Sequence, residues 1–307
     1  MKAVIMAGGE GSRLRPLTCD RSKPMVPVAN RPVMEYALDL LRIHGFTDIY
    51  VTLQYLPDAI AEHFGDGSRY GVSMHYFIEQ VPLGTAGSVR NVGEDLDETF
   101  LVMSGDGLTD IDLSRLLKFH RARKAAVTIA LQQVDNPLEY GVVMTGPDGR
   151  VNRFLEKPGW GEVFSDTINT GIYVIEPRAM EIVPPGRPFD FSKDLFPKLL
   201  ESGWPIYGCV CPGYWCDIGD LEQYLQANLA LLSGMMRHQP PGEEVAPGVW
   251  LEEGASVHSD ARLQGPALIG SGCQIASGAS VGPAVILGRG TRAVSYTHLT
   301  LPTNREV

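Results

Sequence analysis

The sequence predicts an α/β fold, a Rossmann-like and mostly parallel sheet followed by a C-terminal left-handed parallel β-helix. Three observations lead there. Strand-like and helix-like segments alternate from the N-terminus to Val134, which implies a mostly parallel sheet with helices on both faces. The first strand-like run, Ala3-Val4-Ile5-Met6-Ala7, is continuously apolar, as a strand covered on both faces is, and it opens directly into a glycine-rich turn. From Val245 to Leu287 an aliphatic residue returns at every sixth position.

The turn after the first strand reads Gly8-Gly9-Glu10-Gly11-Ser12-Arg13-Leu14-Arg15-Pro16-Leu17-Thr18. Glycines at 8, 9 and 11 clear side chains away, so backbone N–H groups are free to close on an anion. Arg13 and Arg15 add guanidinium forks that match phosphate oxygens, and Lys23 follows just before Pro24. Such a phosphate site points to a nucleotide. It is neither of the two familiar glycine loops. Leu14 stands where a dinucleotide-binding G-x-G-x-x-G would need its last glycine, and Gly11-Ser12 is not the G-K-S/T of a P-loop.

The remaining elements follow in order. Arg31 to His44 has helical periodicity and stops at Gly45, a good helix terminator. Asp48–Tyr55 reads as a strand, Pro57–Phe64 as a short helix, Val72–Glu79 as a strand and Thr85–Leu96 as a helix. Thr99–Ser104 is a strand running into Gly105-Asp106, Leu113–Lys124 a helix and Ala126–Val134 a strand. Ligands of such sheets sit beyond the carboxyl ends of strands, where both the Gly8 loop and Asp106 fall. From Asn136 to Gly213 the pattern is less regular. Gly141–Met144 and Val151–Leu155 flank Pro147-Asp148-Gly149 as a hairpin. Asp220–Leu232 is an amphipathic helix that closes the first domain near Gly234, and Pro240-Pro241-Gly242 marks a linker.

The predicted domains are therefore 1–234, a linker at 235–244 and a β-helix at 245–293. The sixfold anchors are Val245, Leu251, Val257, Leu263, Ile269, Ile275, Val281 and Leu287. Small partners Ala255, Ala261, Ala267, Cys273, Ala279 and Thr291 lie four places after most of them. Residues 294–307 keep no such pattern. They are read as a non-native tail, similar to a recurrent read-through artefact of metagenomic gene predictions, on a chain expected to continue naturally past Ala293.

A chain of 307 residues with 44% hydrophobic and 20% charged content is an ordinary soluble composition. The net charge of −10 argues against a nucleic-acid partner, while the local cationic excess before Pro24 suits a small phosphorylated ligand. No apolar stretch is long enough to span a bilayer, so no membrane partner is expected. Five cysteines without framework spacing make cytoplasm the default, with Cys209 and Cys211 as core thiols. His44, His63, His75 and His120 lack metal spacing and read as surface or helix-end residues, and Trp160, Trp204 and Trp250 as packing.

Seven motifs in order carry a family resemblance. They are Gly8 to Thr18 with Lys23-Pro24, Pro82-Leu83-Gly84-Thr85-Ala86-Gly87, Ser104-Gly105-Asp106, Glu139-Tyr140-Gly141, Phe154-Leu155-Glu156-Lys157-Pro158, Asn169-Thr170-Gly171 and Tyr214-Trp215-Cys216-Asp217-Ile218-Gly219. Together they resemble the sugar-phosphate nucleotidyltransferases (nucleotide-sugar pyrophosphorylases) over residues 1 to about 232, with hexapeptide repeats as a common appendage. The wording at Leu83–Gly87 and Trp215–Gly219 is most similar to the mannose-1-phosphate guanylyltransferase branch, especially bacterial versions fused to a phosphomannomutase-like module.

The resemblance implies that a sugar-1-phosphate oxygen attacks the α-phosphorus of a nucleoside triphosphate and pyrophosphate leaves. The catalytic residues would be Arg13, on the leaving phosphates, and Lys23, near the α-phosphate. Gly8, Gly9 and Gly11 would pack against the nucleoside. Gly84, Thr85 and Gly87, with Gln80, would line the base pocket. Gly141, Glu156, Lys157 and Asn169 would hold the sugar phosphate. Asp106 and Asp217 would bind Mg²⁺, whose hard-oxygen preference suits carboxylates and phosphates alike. Read alone, Asp106 could instead make an Asx turn and Asp217 cap the helix near Asp220. Asp110 and Asp112 read as helix-start residues. The leading substrates are GTP and mannose-1-phosphate, with dTTP, UTP or ATP and glucose-1-phosphate as the rival pairing. A β-helix acyltransferase activity and a non-catalytic nucleotide-sugar-binding subunit are weaker alternatives. Family analogy also implies a homo-oligomer.

Overall fold

Ala3, Val4 and Ile5 have no exposed surface, because the Lys2–Met6 strand is covered on both faces. Ala3 and Ile5 join one core with Ala37, Leu38 and Leu41 of the Val33–Ile43 helix, while Val4 joins another with Ala86 and Val89 of the Gly84–Arg90 helix. The computed structural model describes residues 1–299. These divide into two units, Met1–Val26 with Val33–Asp217, and Pro27–Pro32 with the residues from Ile218 onward.

The first unit is built on a nine-stranded sheet. Lys2–Met6 pairs in parallel with Asp48–Leu53 on one side and Phe100–Ser104 on the other, and Asp48–Leu53 pairs in parallel with Ser73–Ile78. Beyond Phe100–Ser104 the sheet becomes mixed. Thr167–Ile175 runs antiparallel to Phe100–Ser104 and to Val127–Gln133, and the Gly141–Thr145 and Val151–Glu156 hairpin extends that side. Ile206–Val210 then returns in parallel beside Val127–Gln133. The α/β alternation thus yields a mostly parallel sheet in its N-terminal half and a mixed one beyond.

Two helices and the Trp160 side chain differ from expectation. The first helix begins at Val33, because Arg31–Pro32 instead pairs with Pro27–Val28. The helix expected over Thr85–Leu96 stops at Arg90, and a separate 3₁₀ turn follows at Gly93–Asp95, where Gly93 has φ +78°. Trp160 is exposed rather than packed. His120 lies in the last turn of the Leu113–Arg123 helix, the helix-end alternative of its reading, and is buried there: its ring contacts Thr128 Oγ1 at 2.9 Å and Glu176 Oε1 at 3.1 Å. Cys209 and Cys211 are buried thiols, as expected.

In the second unit, the Leu221–Leu232 helix is capped by Asp220, whose side chain accepts from Gln223 N at 2.8 Å. This helix, expected to close the first domain, packs with the Pro27–Pro32 hairpin: Tyr224 Oη donates to Pro27 O at 2.8 Å and Ala29 N donates to Asn228 Oδ1 at 2.9 Å. The C-terminal strands form three short sheets, two of them wholly parallel and the third parallel apart from the antiparallel edge strand Glu243–Ala246. Val249–Leu251 pairs with Ala267–Ile269 and that with Val285–Leu287, while the other two sheets repeat the same offset. Ile269, Ile275, Val281 and Leu287 are buried between them with Cys273 and Ala279. Val245 does not join this core. It is half exposed, on a strand that pairs antiparallel with Val249–Leu251. The ladder continues past Ala293, since His298–Leu299 pairs with Ser280–Val281. The remainder of the suspected tail, 300–307, lies outside the described residues.

Candidate active site

The parallel strands deliver their carboxyl ends to one place. Met6 lies opposite Ser104, and Gly105 N donates to Met6 O at 2.9 Å, so the Gly8 loop and Asp106 leave the sheet side by side. A Cβ at Gly105 would meet Ile5 Cγ2 at 2.9 Å, which makes glycine the residue that fits this approach. After Asp106 the chain enters a two-stranded ribbon in which Gly107 faces Asp217. That pairing brings together two carboxylates far apart in sequence. Asp110 braces the ribbon by accepting from Tyr214 N at 2.7 Å, a role different from the helix start expected for it. Asp112 does cap its helix, accepting from Arg115 N at 2.9 Å, and Asp220 rather than Asp217 caps the later one.

Lys23 lies between the two carboxylates, its Nζ 2.5 Å from Asp106 Oδ2 and 3.1 Å from Asp217 Oδ1. Burial pulls the Lys23 ammonium down, but Asp106 and Asp217 outweigh it and its pKa ends above the ordinary lysine value. Burial, and then the neighbouring Asp106, push the Asp217 carboxyl up against the opposing pull of Lys23. Asp106 Oδ1 also accepts from Ser104 Oγ.

Lys23 is held from the glycine loop. Gly11 has φ +70°, and a Cβ there would lie 3.0 Å from Lys23 Cβ and 3.1 Å from Thr18 Cγ2. Thr18 Oγ1 donates to Gly11 O at 2.7 Å, and Leu14 plugs the loop into the interior. Arg13 projects outward, 4.0 Å from Glu139, while Arg15 pairs with Glu10 at 2.7 Å.

A cleft of about 250 Å³ opens over these groups. It gathers Arg13, Lys23, Asp106, Gly141, Glu156, Lys157, Asn169 and Asp217. The hairpin positions its far wall. Glu156 ends one strand opposite Gly141 on the other, and a Cβ at Gly141 would strike Glu156 Oε2 at 2.7 Å and Phe154 Cζ at 2.8 Å. Burial pushes the Glu156 carboxyl above the ordinary glutamate range, against the effect of a hydrogen bond from Ser192. Lys157 takes φ +46°, and its N–H donates to Tyr140 O at 3.0 Å. Asn169 donates to Tyr173 Oη at 3.0 Å and accepts from Gly171 N at 3.0 Å.

The cleft also takes in Glu139, Tyr140, Ser192 and Trp215, which sequence reasoning did not assign. Tyr140 and Trp215 were visible inside quoted motifs and stack edge to face at 5.5 Å, but nothing in the sequence marked Ser192. Gly8, Gly9, Gly11, Gln80, Gly84, Thr85 and Gly87 do not line this cleft. Gln80 is exposed, and no heavy atom lies within 4 Å of a Cβ built on Gly9. Gly84 and Gly87 face the chain at 187–189 instead. Their Cβ atoms would meet Phe189 O at 2.8 Å and Arg187 O at 2.9 Å.

Among the described residues no group of three or more His, Cys, Asp or Glu forms a metal ligand set. The Asp106 and Asp217 pair nonetheless suits Mg²⁺, because the two carboxylates already converge on one cation, the Lys23 ammonium, and outnumber it in charge. Mg²⁺ is commonly held by one or two carboxylates, with waters and substrate phosphates completing its shell.

Comparison with known proteins agrees with this geometry. The nucleotidyl transferase family model matches residues 2–234. A UTP–glucose-1-phosphate uridylyltransferase from Synechocystis is 40% identical, covering 93% of this chain and 78% of its own. A mannose-1-phosphate guanylyltransferase from Mycobacterium tuberculosis is 36% identical, covering 92% and 79%. Among solved structures, a glucose-1-phosphate thymidylyltransferase from Bacillus anthracis superposes with a TM-score of 0.68 at 25% identity, covering 75% of this chain and 94% of its own. HddC from Yersinia pseudotuberculosis complexed with GMP-PN gives 0.64 at 28% identity, covering 74% and 98%. No helix among the described residues is long and apolar enough to cross a membrane. With the family model spanning the whole sheet and every cleft residue, the chain belongs to the nucleotidyl transferase family.

Proposed function

We propose that the protein transfers a guanylyl group from GTP to mannose-1-phosphate, giving GDP-mannose and pyrophosphate. One observation carries the chemistry: three cations, Arg13, Lys23 and Lys157, and the Asp106–Asp217 pair surround a single cleft whose far wall offers Glu156 and Asn169 to hydroxyls. Two phosphate-bearing reactants need that much positive charge. The choice of guanine and mannose rests on the motif wording and on the mannose-1-phosphate guanylyltransferases among the relatives.

In this reading a sugar-phosphate oxygen forms a bond to the α-phosphorus while the bond from that phosphorus to the β-bridging oxygen breaks. Pyrophosphate carries the electron pair away, so no proton transfer to a protein base is required. Positioning and charge neutralisation dominate such displacements. Lys157 holds the sugar phosphate, with Glu156 and Asn169 orienting the ring and Gly141 leaving the space that the Glu156 carboxylate occupies. Lys23 leaves its carboxylate partners to neutralise the α-phosphate, and Arg13 meets the departing phosphates. Gly8 and Gly9 offer backbone contacts to the nucleoside. Mg²⁺ held by Asp106 and Asp217 would supply charge neutralisation and alignment of the two phosphate groups. The C-terminal coils are read as a left-handed β-helix through which copies of the chain assemble.

A second reading pairs UTP or dTTP with glucose-1-phosphate, and the 40% identical uridylyltransferase favours it. A panel of nucleoside triphosphates against hexose-1-phosphates, scored for pyrophosphate release, separates the two. The highest kcat/KM for GTP with mannose-1-phosphate supports the first. A higher value for UTP or dTTP with glucose-1-phosphate replaces it with the second.

A further inference from the structure

The Gly84–Arg90 helix and the sugar side of the cleft are joined by hydrogen bonds that the displacement above does not use. Phe189 N donates to Leu83 O at 2.8 Å, and Gly87 N donates to Phe189 O at 2.9 Å. Gly84, with φ +68°, and Gly87 make room for this approach. Thr85 then locks it with both capacities of its hydroxyl. Thr85 Oγ1 donates to Asp190 Oδ2 at 2.9 Å and accepts from Phe191 N at 2.9 Å. The other oxygen of Asp190 accepts from Ser192 N at 2.9 Å and Lys193 N at 3.3 Å.

Asp190 thereby caps a single π-helical turn, Phe191–Leu195, before the Phe196–Glu201 helix. Isolated π turns are rare and frequently lie at functional sites. Phe191 and Leu195 are buried, so the turn is anchored on its inner side. Ser192 is the residue of the turn that reaches the cleft. Its hydroxyl accepts from Asn169 Nδ2 at 3.4 Å and shares the cleft wall with Glu156, whose carboxyl pKa it helps hold down against the effect of burial. Both of those residues belong to the sugar wall.

We infer that Thr85 and Asp190 are positioning residues for the sugar-phosphate half of the cleft, acting through Ser192 on Glu156 and Asn169. A motif whose glycines suggest room for a base would then set affinity for the other substrate. The inference rests on the proposed sugar role of Glu156 and Asn169. Its physical content is placement: a shift of about 1 Å in an orienting group is enough to cost on the order of 10²-fold in rate. Loss of one hydrogen bond to a charged group corresponds to roughly a tenfold effect on binding.

The test compares Thr85→Val, Thr85→Ser, Asp190→Asn and Ser192→Ala in the full chain. Two readouts are taken: separate KM values for the nucleoside triphosphate and the sugar-1-phosphate, and amide exchange of the peptide spanning 189–195. Thr85→Val and Asp190→Asn are expected to raise the sugar-1-phosphate KM about tenfold, leave the nucleotide KM unchanged and speed exchange at 189–195. Ser192→Ala should give the same KM pattern without faster exchange, and Thr85→Ser should restore both readouts. A KM change that falls on the nucleotide, or exchange that does not move in Thr85→Val, overturns the inference. A wild type that turns over none of the substrate pairs overturns the proposed function instead, and the exchange data still decide whether Thr85 holds the turn.

Discussion

The two halves of the expected site are constructed differently. The half that holds Lys23, Asp106, Glu156, Lys157, Asn169 and Asp217 is assembled from side chains of distant segments that meet in one cleft. The half expected to hold the nucleotide is made of glycines, Gln80 and Thr85, and none of these lines that cleft. Gly84 and Gly87 instead admit the backbone of 187–189. The difference teaches how ambiguous a glycine is. A missing side chain makes room equally for a ligand and for the protein's own backbone, whereas a buried lysine between two aspartates has few structural uses.

The largest expected effect breaks the first half. Asp106→Asn keeps the shape and the hydrogen bond from Ser104 but removes the charge that meets Lys23. Loss of one preorganised electrostatic partner costs about 2.7–4 kcal/mol of barrier, so turnover should fall on the order of 10²–10³-fold. Thermal melting should show the fold retained. Near-normal Mg²⁺-dependent turnover would remove Asp106 from the reacting centre.

Gly11→Ala strikes the contact between the halves. The added methyl has to sit at φ +70°, against Lys23 Cβ and Thr18 Cγ2. Strain of this kind costs about 1–3 kcal/mol, so a lower melting temperature and a displaced Lys23 are expected together. Gly9→Ala is the counterpart, since no heavy atom lies within 4 Å of the new methyl. It should leave melting unchanged and raise the KM for the nucleotide. A Gly9→Ala enzyme with unaltered nucleotide KM would take the loop's backbone out of the nucleotide site.

The sequence made the side chains of the cleft legible because they are polar residues in distinctive motifs. Asp106, Glu156, Lys157, Asn169 and Asp217 are chemically specific, and the strands that end at Ser104 and Glu156 were readable from apolar runs, whereas the strands that carry Asn169 and Asp217 were not. What it hid was the partner of the PLGTAG segment. The Arg187–Ser192 stretch has no periodicity of its own, and its approach to Gly84 is a long-range contact that local sequence does not encode, Thr85 and its partner Asp190 being 105 residues apart. Asp110 was misread similarly. A helix-start aspartate and one that braces the Trp215–Asp217 ribbon look the same until Tyr214 arrives. In the C-terminal unit the sixfold period located the buried anchors from Ile269 to Leu287 but also counted Val245, whose strand runs the opposite way.

Glu156 sharpens the comparison through pH. Burial raises its carboxyl pKa in the folded chain, so ionisation costs more there than in the unfolded chain. A raised carboxyl pKa means stability is fully present below the unfolded value and is partly lost as pH rises through the folded value. Glu156→Gln removes that loss. The variant should melt above the wild type at neutral pH, with the gap closing in acid below the ordinary glutamate range, while its sugar-1-phosphate KM rises. A gap that widens in acid contradicts this account.

The smallest effect belongs to Arg15, which separates charge that acts from charge that merely sits nearby. Its guanidinium lies 2.7 Å from Glu10 Oε1, with both side chains more than half exposed. Exposed pairs of this kind contribute about 0–1 kcal/mol, so Arg15→Ala should hardly move the melting temperature. Arg13 is equally exposed, yet it reaches the cleft and Arg15 does not line it. Arg13→Ala should therefore reduce kcat well beyond any loss from Arg15→Ala, with both variants melting close to the wild type. Equal losses from the two would mean that the loop attracts phosphate through its summed charge, and that the side chain at 13 has no specific grip on the leaving group.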